Sequence, residues 1–519
     1  MKLIHGTLIK IIFSKSYLIL ITQIIAKMKK YCILMAILLL SSCGTETGSQ
    51  NWPQFRGLNS SGVGSEDANP PVKFENKNLL WETEINAGVS SPVIWNNKLF
   101  LTGFVEDAKE LQTICINRKN GKILWFSSIF PDTIERHHPV STPAQSTVVT
   151  DGERIISYFG SCGLICYDMT GKEIWKYAIP SNRAQYGSAT SPVIIGDMMI
   201  LIYDIGRNRY LLALDKNTGS VIWKTGFESI NLQNLGGDAT PVIYNNMIIV
   251  HRVGELAGYD IADGSQIWNY RLLTQGSSTP VIADNKIVAA CWSNSTEEDQ
   301  RVPLPDFNEL LQKNDSDKNN KISRQEFPSD LMLYIRPEIM DFQGSANFLR
   351  WHFSSFDINR DREIDLQEWI NGVAMLKDAF YKEAGLLAIK SDSKGLVADS
   401  AILWRVSENV PEVPSPLFYM ERIYMVRDGG IITCVDPDAG KVMYTTRLRN
   451  PGSYLASPIA ANGHIYIFGY NGRLKIVKAG DEFQIIAEHD FKENIAATPA
   501  IVGNILYIRT KNKIMAYSL

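Results

Sequence analysis

The chain has 519 residues, of which 45% are apolar and 37 are glycine, and its formal net charge is −3. This composition excludes a disordered chain, because enough apolar side chains are present to form a core. Lysine and arginine gather in no single segment, so the sequence predicts no nucleic-acid partner. Seven cysteines without a CxxC pair exclude a zinc site of the usual spacing.

The first 42 residues are predicted to form a leader. From Met28 the sequence reads MKKYCILMAILLLSSCG, with two lysines, an apolar run from Tyr31 to Leu40 and then small residues. This run has the length and charge of a secretory leader and is too short for a permanent membrane span. Met28 precedes its own pair of lysines, so translation is predicted to start at Met1 or at Met28.

The end of this leader, LSSC at Leu40 to Cys43, resembles the bacterial lipobox. The resemblance implies cleavage before Cys43, lipidation of that cysteine and a lipidated tether over residues 43–50. Loss of the six leader lysines changes the formal charge of the mature chain from −3 to −9. Gly44 after the cysteine favours the outer membrane over the inner one. The alternatives are an ordinary leader cut a few residues later or an uncleaved anchor helix.

One phrase recurs eight times after residue 50: serine or threonine, proline, an apolar run, a turn and a second apolar run. Six of the seven intervals between its prolines are 39 to 51 residues, which is the length of a four-stranded propeller blade. The sequence therefore predicts an all-β, eight-bladed β-propeller. The marker prolines are Pro92, Pro143, Pro192, Pro241, Pro280, Pro416, Pro458 and Pro499.

A second phrase joins an aspartate or asparagine, a turn glycine and an aromatic residue. The aromatic residue is predicted to begin each outer strand and to pack between neighbouring blades. The alternative is a stacking platform for ligands. Cys162 and Cys166 are interpreted as two small residues of a blade, with a disulfide as the alternative. The five aromatic residues are Trp125, Trp175, Trp223, Trp268 and Tyr444.

Together, the two phrases resemble the eight-bladed PQQ-like propeller repeat family over nearly all of residues 50–519 outside one insertion. The resemblance assigns residues 51–293 to blades one to five with an opening segment, and residues 386–519 to the completion of blades five to eight. NWPQFRGLNSSGVG, residues 51–64, is similar to the opening segment of secreted bacterial members. It is expected to pair with the last blade and close the ring, which removes the open sheet edge.

Some members of that family are alcohol or sugar dehydrogenases with the quinone PQQ in the central channel. Membership of that group would imply adjacent cysteines, a tryptophan floor and an aspartate base near a calcium ion. The sequence contains no adjacent cysteines and no CxxCH haem motif, so it predicts neither catalytic nor quinone-binding residues. His137, His138, Arg252 and Arg427 are the candidates to line the channel, with loop capping or turn stabilisation as their alternative roles.

The long interval between Pro280 and Pro416 predicts an insertion over residues 294–385. Its segments PDFNELLQKN and NFLRWHFSSF have apolar residues three and four apart, as helices do. Each segment runs into a twelve-residue acidic loop, residues 315–326 and 357–368. The insertion has 18 acidic and 11 basic residues, a formal charge of −7.

These two loops resemble a pair of EF-hands. Ca²⁺ takes six to eight oxygens, and alternate residues of such a loop can supply them, with the twelfth residue giving two. The sequence predicts two Ca²⁺ sites that fix the insertion as a rigid arm projecting from blade five. The alternative is an acidic helical hairpin. The predicted ligands are Asp315, Asp317, Asn319, Lys321 through its carbonyl, and Glu326, then Asp357, Asn359, Asp361, Glu363 through its carbonyl, and Glu368.

Further expectations concern the loop backbone. Ile322 and Ile364 are predicted to pair as a short two-stranded link. The sixth position, usually glycine, is Asn320 in one loop and Arg362 in the other, and a left-handed arginine costs about 1 kcal/mol. Pro328 predicts a short or kinked helix after the first loop.

The sequence thus predicts a lipid-anchored, calcium-binding propeller of the cell envelope, in the outer membrane facing the periplasm or at the surface. It would act as a non-enzymatic scaffold for a protein or glycan partner. The blades partly resemble the propeller lipoproteins of the outer-membrane β-barrel assembly machinery, and the insertion departs from that family. The alternative is a PQQ-dependent dehydrogenase-like or other enzyme that uses the central channel.

Overall fold

A computed structural model describes residues 51–181, 184, 186–206, 209–228, 237–272, 274–293, 302–336, 346–379 and 384–519. The predicted leader, the start at Met28, the tether and Cys43 lie outside these residues. The described residues belong to one compact unit. None of the helices in these ranges combines the length and the apolar character that a membrane crossing requires.

Eight antiparallel sheets of four blade strands each form the predicted propeller. Apolar side chains fill the spaces between adjacent sheets. The strands of the first half are β1 (Leu79–Glu84), β2 (Val93–Trp95), β3 (Lys98–Val105), β4 (Glu110–Asn117), β5 (Ile123–Ile129), β6 (Val149–Thr150), β7 (Arg154–Phe159), β8 (Gly163–Asp168), β9 (Glu173–Ala178), β10 (Val193–Ile195), β11 (Met198–Tyr203), β12 (Tyr210–Asp215), β13 (Val221–Gly226), β14 (Val242–Tyr244), β15 (Met247–Arg252), β16 (Glu255–Asp260) and β17 (Gln266–Arg271).

Blade one is β2 to β5, and each later blade continues in chain order from its innermost to its outermost strand. Blade five begins with β18 (Val281–Ala283) and β19 (Lys286–Cys291) and resumes after the insertion. The strands of the second half are β24 (Gly385–Lys390), β25 (Gly395–Leu396), β26 (Ile402–Val406), β27 (Leu417–Tyr419), β28 (Arg422–Arg427), β29 (Ile431–Val435), β30 (Val442–Arg447), β31 (Ile459–Ala461), β32 (His464–Phe468), β33 (Arg473–Lys478), β34 (Ile485–Asp490), β35 (Ala500–Val502), β36 (Ile505–Arg509) and β37 (Lys513–Ser518).

The insertion lies between the second and third strands of blade five. It therefore emerges on the end of the propeller that carries the connections between second and third strands, which we call the insertion face. The two described parts of the insertion contain three short helices. Its elements are α1 (Phe307–Asn314), β20 (Ile322–Ser323), β21 (Met332–Ile335), β22 (Ala346–Phe348), α2 (Phe353–Phe356), β23 (Glu363–Ile364) and α3 (Leu366–Ala379), with a 3₁₀ turn at Leu349–His352.

Two helix predictions for this insertion need correction. The first loop is followed by turns and then by β21, so the expected helix around Pro328 does not form in residues 327–336. Proline lacks the amide hydrogen that a continuing helix requires, and Glu326 N–H closes a local turn onto the carbonyl of Ser323 instead. The segment NFLRWHFSSF begins in β22 and becomes helical only from Leu349.

Hydroxyl groups link the innermost strands around the ring. In each link the backbone N–H of a serine or threonine donates to the hydroxyl of the corresponding residue in the next blade, over 2.9–3.0 Å. Serine or threonine before proline is therefore a blade-to-blade contact as well as a turn signal. The described links run from Ser91 to Thr147, Thr147 to Ser191, Thr240 to Thr279, Thr279 to Ser415, Ser415 to Ser457 and Ser457 to Thr498.

Blade two departs from the sequence prediction at this position. Its linking hydroxyl belongs to Thr147, and Val148 precedes the innermost strand where the other blades have proline. Pro143 lies five residues upstream, in the long connection from blade one. The prediction that Pro143 marks the start of blade two is therefore wrong by five residues, although the number of blades is right.

The recurrent aromatic residues pack between blades, as the sequence predicted. The indole N–H of Trp125, Trp175 and Trp223 donates to a backbone carbonyl of the next blade. Trp268 is fully buried between blades four and five, and Tyr444 packs between blades six and seven. The turn glycine of the following blade lies against the tryptophan ring, so the rings are structural rather than a ligand platform.

The close approach of glycine to tryptophan gives a stability prediction. Gly171 has φ +89°, and a Cβ there would lie 2.6 Å from the Trp125 ring, whereas Gly196 has φ +56° with nothing within 4 Å of a Cβ. Gly171→Ala should lower the free energy of unfolding by about 2–4 kcal/mol, because the left-handed backbone strain and the steric overlap with the Trp125 ring both destabilise the variant. Gly196→Ala, which suffers strain alone, should cost about 1 kcal/mol. Chemical denaturation of both variants measures the difference, and equal losses would contradict the packing argument.

Ring closure uses a different segment from the predicted one. Strand β1 pairs antiparallel with β37 and supplies the outermost strand of blade eight, with Leu79 opposite Tyr517. Its sequence LLWETE contains Trp81, whose indole donates to the Arg118 carbonyl just as the repeat tryptophans do. The expectation that residues 51–64 close the ring is therefore wrong, because β1 supplies the outermost strand with its repeat tryptophan, and five of residues 51–64 have a left-handed backbone that interrupts a strand.

Residues 51–64 instead cross the central channel. Trp52 exchanges two backbone hydrogen bonds with Ile94 of blade one, and Gly62 and Gly64 bond to Ala460 of blade seven. The Arg56 guanidinium, which is fully buried, donates over 2.7 Å to the carbonyl of Pro416 before blade six. Burial lowers the pKa of this arginine to about 9. The innermost strands thus surround a segment of the chain itself.

Candidate metal centre

The two acidic loops of the insertion lie side by side. Strands β20 and β23 pair antiparallel and place Ile322 opposite Ile364, which confirms that predicted link. Both isoleucines are fully buried in a small apolar core with Phe356 and Trp369. This core holds the two loops together.

Their twelfth residues make matching hydrogen bonds. Glu326 accepts from the backbone N–H of Ser316, at 2.9 Å, and of Ser323, at 3.0 Å. Glu368 accepts from the N–H of Ile358, at 3.0 Å, and of Asp365, at 3.2 Å. In each loop these are the second and ninth positions, so both glutamates fold back across their own loop and face its centre.

The first and sixth positions also correspond. The backbone N–H of Asn320 donates to Asp315 over 2.9 Å, and that of Arg362 donates to Asp357 over 3.1 Å. Both donors are left-handed, with φ of 61° and 73°, as their place at the usual glycine position predicted. The fourth positions, Lys318 and Arg360, are left-handed as well, which no residue type in the sequence signalled.

Loop one brings three of its predicted ligands together. Carboxylate oxygens of Asp315, Asp317 and Glu326 all lie within 4.8 Å of one another. The hydrogen bond from the Ser316 hydroxyl, followed by those from Ser323, lowers the pKa of Glu326 to about 2. Loop one therefore concentrates negative charge at neutral pH, an arrangement that a hard divalent cation would fit.

Loop two is more deeply buried. Asp357 is 9% exposed and Glu368 is 7% exposed. One oxygen of Asp357, Oδ1, is buried without a hydrogen-bond partner among the described residues. A buried carboxylate oxygen without a donor is unfavourable by about 1–3 kcal/mol, and an oxygen-seeking cation would compensate it. Among the described residues, only loop one brings three carboxylates within 4.8 Å of one another, so in loop two the unpartnered Oδ1 of Asp357 is the feature that fits Ca²⁺.

Most of the remaining predicted ligands connect the two loops. Lys321 Nζ lies 3.2 Å from Asp361 and 3.1 Å from Glu363, and the Asn319 amide donates to Glu363 over 3.1 Å. Asn359 accepts from the N–H of Asp361 over 2.8 Å. The Lys321 side chain thus contacts loop two, and the Glu363 side chain contacts loop one. For both residues, the backbone carbonyl is the group predicted to bind an ion.

One arginine of the insertion is anchored to the propeller. Arg336, directly after β21, bonds Glu412 over 2.6 Å and also pairs with Asp428, while its guanidinium lies 5.6 Å from the Trp292 ring centre. Burial lowers its pKa, but the charges of Glu412 and Asp428 outweigh burial and raise the pKa above its usual value. Sequence analysis missed this anchor, because its three charged residues are up to 92 positions apart.

The channel candidates of the sequence analysis have structural partners. Arg252 forms an ion pair with Glu255 at 2.7 Å, and Arg427 donates to the side chain of Asn409 over 3.0 Å. The His137 ring lies 6.3 Å from that of Phe104, and the buried His138 ring lies 5.1 Å from that of Tyr186. These contacts match the turn-stabilising alternative rather than one convergent site.

A half-buried carboxyl group, Asp238, was not singled out from the sequence. Burial, followed by the nearby charge of Asp204, raises its pKa to about 7. The pKa of Tyr186 is raised by burial and then by the charges of Glu412 and Asp238, with Arg336 opposing them. The charges of Glu412, Asp238 and Arg336 therefore all act on Tyr186.

Comparison with known proteins supports the repeat type. The PQQ_2 family model, described as outer membrane protein assembly factor BamB, matches residues 71–205 and 206–302. Blades one to four and the first part of blade five are therefore similar to PQQ-type repeats. This match covers somewhat less than half of the chain and ends at residue 302, in the first residues of the insertion and before the two acidic loops.

The chain is similar to a curated protein, the outer membrane protein assembly factor BamB of Yersinia pestis. The two are 23% identical over 248 residues, which are 44% of this chain and 60% of the relative. The chain therefore spans about 60% of the length of that curated protein.

Solved structures share the propeller fold. BamB from Moraxella catarrhalis is 12% identical with a TM-score of 0.50, covering 85% of this chain and 98% of its own. A europium-containing methanol dehydrogenase is 9% identical with a TM-score of 0.57, and the match covers 92% of this chain and 99% of the dehydrogenase. The quinohemoprotein alcohol dehydrogenase of Comamonas testosteroni is 10% identical with a TM-score of 0.51, and the match covers 91% of this chain and 81% of that enzyme. These similarities show the fold alone, because enzymes and assembly factors both use it.

Proposed function

We propose that the chain is a calcium-stabilised, non-enzymatic scaffold of the cell envelope that binds a protein partner. The observation that carries the proposal is the matched geometry of the two acidic loops, with clustered oxygens in one and an unpartnered buried oxygen in the other. The similarity of blades one to five to BamB supports a protein partner and a place at the outer membrane.

The contents of the central channel support a scaffold over an enzyme. Residues 51–64 bond to innermost strands on several sides of the ring, so part of the channel is filled by the chain. The outer surface and the insertion face then remain for recognition. PQQ does not fit well here, since the sequence has no adjacent cysteines and its own segment occupies channel space. We therefore do not propose PQQ as a cofactor.

Calcium binding is tested by calorimetric titration of the full chain in a mild detergent. Two sites per chain are expected, because both loops make the same hydrogen bonds. Glu326→Gln and Glu368→Gln should each remove one site, since a bidentate ligand is lost. Glu309→Gln on α1 is the matched control, because Glu309 lies outside both loops and should leave two sites. Absence of binding heat in the wild type would contradict the calcium proposal.

The envelope location is a further part of the proposal. Lipidation at Cys43 would hold the propeller at the membrane through the tether of residues 43–50. Mass spectrometry of the mature N-terminus tests this, and a Cys43→Ser variant should be released from the membrane fraction. A partner that is recovered from membranes with the wild type and lost in chelator would identify what the scaffold binds. Recovery of a glycan would contradict the proposed protein partner.

A second candidate function is catalysis on the insertion face. The observation in its favour is Asp238, a half-buried carboxyl group with a pKa of about 7, which could exchange protons at neutral pH. Purified protein supplied with calcium and PQQ should show no dye reduction if it is a scaffold. Turnover that Asp238→Asn abolishes would favour an enzyme instead.

A further inference from the structure

The outermost strand of blade one, β5, differs from the other outer strands. Its sequence ILWFSSI contains no charged residue. The outer strands of blades two to eight each contain at least one lysine, arginine, aspartate or glutamate. Charged side chains on an edge strand discourage it from pairing with another chain. Among the eight outer strands, only β5 lacks such a side chain.

The difference centres on the position after the repeat aromatic residue. Blade one has Phe126 there, and the side chain is 57% exposed. Phe130, directly beyond the strand, is 65% exposed. Apolar side chains of this size at an exposed edge strand are unusual in a soluble domain. In blades two to eight the position is Lys176, Lys224, Asn269, Arg405, Thr445, Glu488 and Glu82.

Blade four shows that an outer edge of this propeller can accept an added strand. The short strand β25 pairs with β17 in parallel and covers that edge. Asn269, the uncharged residue after the blade-four tryptophan, therefore lies on an edge that is already covered. The edge of β5 pairs with no strand of the described residues, although its backbone groups are oriented for one.

We infer that β5 is a homodimer interface, in which two copies of the chain pair edge to edge across a two-fold axis. Two identical strands can pair antiparallel in this way, and neutral side chains then meet their own copies without repulsion. Outer strands with a charge at the position of Phe126, such as Lys176, Lys224 and Arg405, would bring like charges together if they paired with themselves about that residue. The nearby carboxylate of Glu110 accepts hydrogen bonds from Ser128 and Gln112 within the same sheet, which keeps it engaged within its own blade.

Sedimentation equilibrium of the full chain in a mild detergent tests this interface. The wild type should have twice the mass of one chain. Phe126→Lys introduces the residue that blades two and three have at this position, so folding should be retained. It should raise the dimer dissociation constant at least about tenfold, because two lysines would meet at the axis. Ile222→Lys on β13, an edge already charged by Lys224, is the control and should leave the mass unchanged.

Cross-linking provides a second measurement. Phe126→Cys should form a disulfide-linked dimer under mild oxidation, whereas the wild type and Ile222→Cys should not. A monomeric wild type, or a dimer that Phe126→Lys leaves intact, would overturn the inference. A monomer that binds phospholipid vesicles through Phe126 would also overturn it and would make β5 a membrane contact.

Discussion

Replacing Arg336 with alanine is expected to lower the free energy of unfolding by about 3–5 kcal/mol. Its side chain is 8% exposed, and those of its partners Glu412 and Asp428 are 25% and 11% exposed. Removing the guanidinium leaves two carboxylates close together and poorly hydrated. The insertion also loses the described ion pairs that fix it to the loops around blade six. Chemical denaturation of the full chain measures the effect.

Two further variants separate this buried anchor from ordinary surface charge. Arg350→Ala removes an exposed arginine of the same insertion and should change stability by less than about 0.5 kcal/mol. Combining Arg336→Met with Glu412→Gln and Asp428→Asn removes all three charges and should recover most of the lost stability. A loss for Arg336→Ala no larger than that for Arg350→Ala would contradict the assigned role.

Asp357→Asn is expected to change stability in opposite directions with and without calcium. In chelator the variant should be more stable than the wild type by about 1–2 kcal/mol, because the charge on the unpartnered oxygen Oδ1 is removed. With calcium at a hundred times its dissociation constant, the wild type should gain about 2.7 kcal/mol from this site and the variant should not. Thermal unfolding in the two buffers tests the reversal.

Asp315→Asn is the matched control in loop one. Both Asp315 oxygens accept backbone hydrogen bonds, from Asn319 and Asn320, so no stability gain is expected in chelator. The calcium-dependent gain of loop one should nevertheless disappear. If Asp357→Asn is less stable than the wild type in both buffers, the unpartnered Oδ1 of Asp357 does not destabilise the calcium-free protein as its geometry implies.

The blades were predictable from sequence because each repeats the same local chemistry. Serine or threonine before the innermost strand links blades, and in most blades a tryptophan packs on the next turn glycine, so repeated copies support one interpretation. The pairing of Ile322 with Ile364 followed from the loop spacing in the same way. Local patterns therefore predicted the blade number and the arrangement of the loops.

Contacts between distant residues were not predictable in this way. The Arg336 anchor joins residues that no repeat relates, and the channel-crossing segment depends on left-handed residues such as Arg56 and Ser60, which carry no sequence signal for that backbone. One missed feature did have a signal: LLWETE in β1 resembles the outer strands of other blades. Pro143 misled because proline also occurs in the long connection before blade two.

The pairing of β1 with β37 has a consequence for biogenesis. Leu79 and Tyr517 must meet before blade eight exists, so the last sheet is completed by contacts between residues more than 400 positions apart. Such distant contacts slow folding, because a long stretch of chain must be ordered first. Until the end of the chain has been synthesised, β1 has no partner strand and exposes a row of unpaired backbone groups.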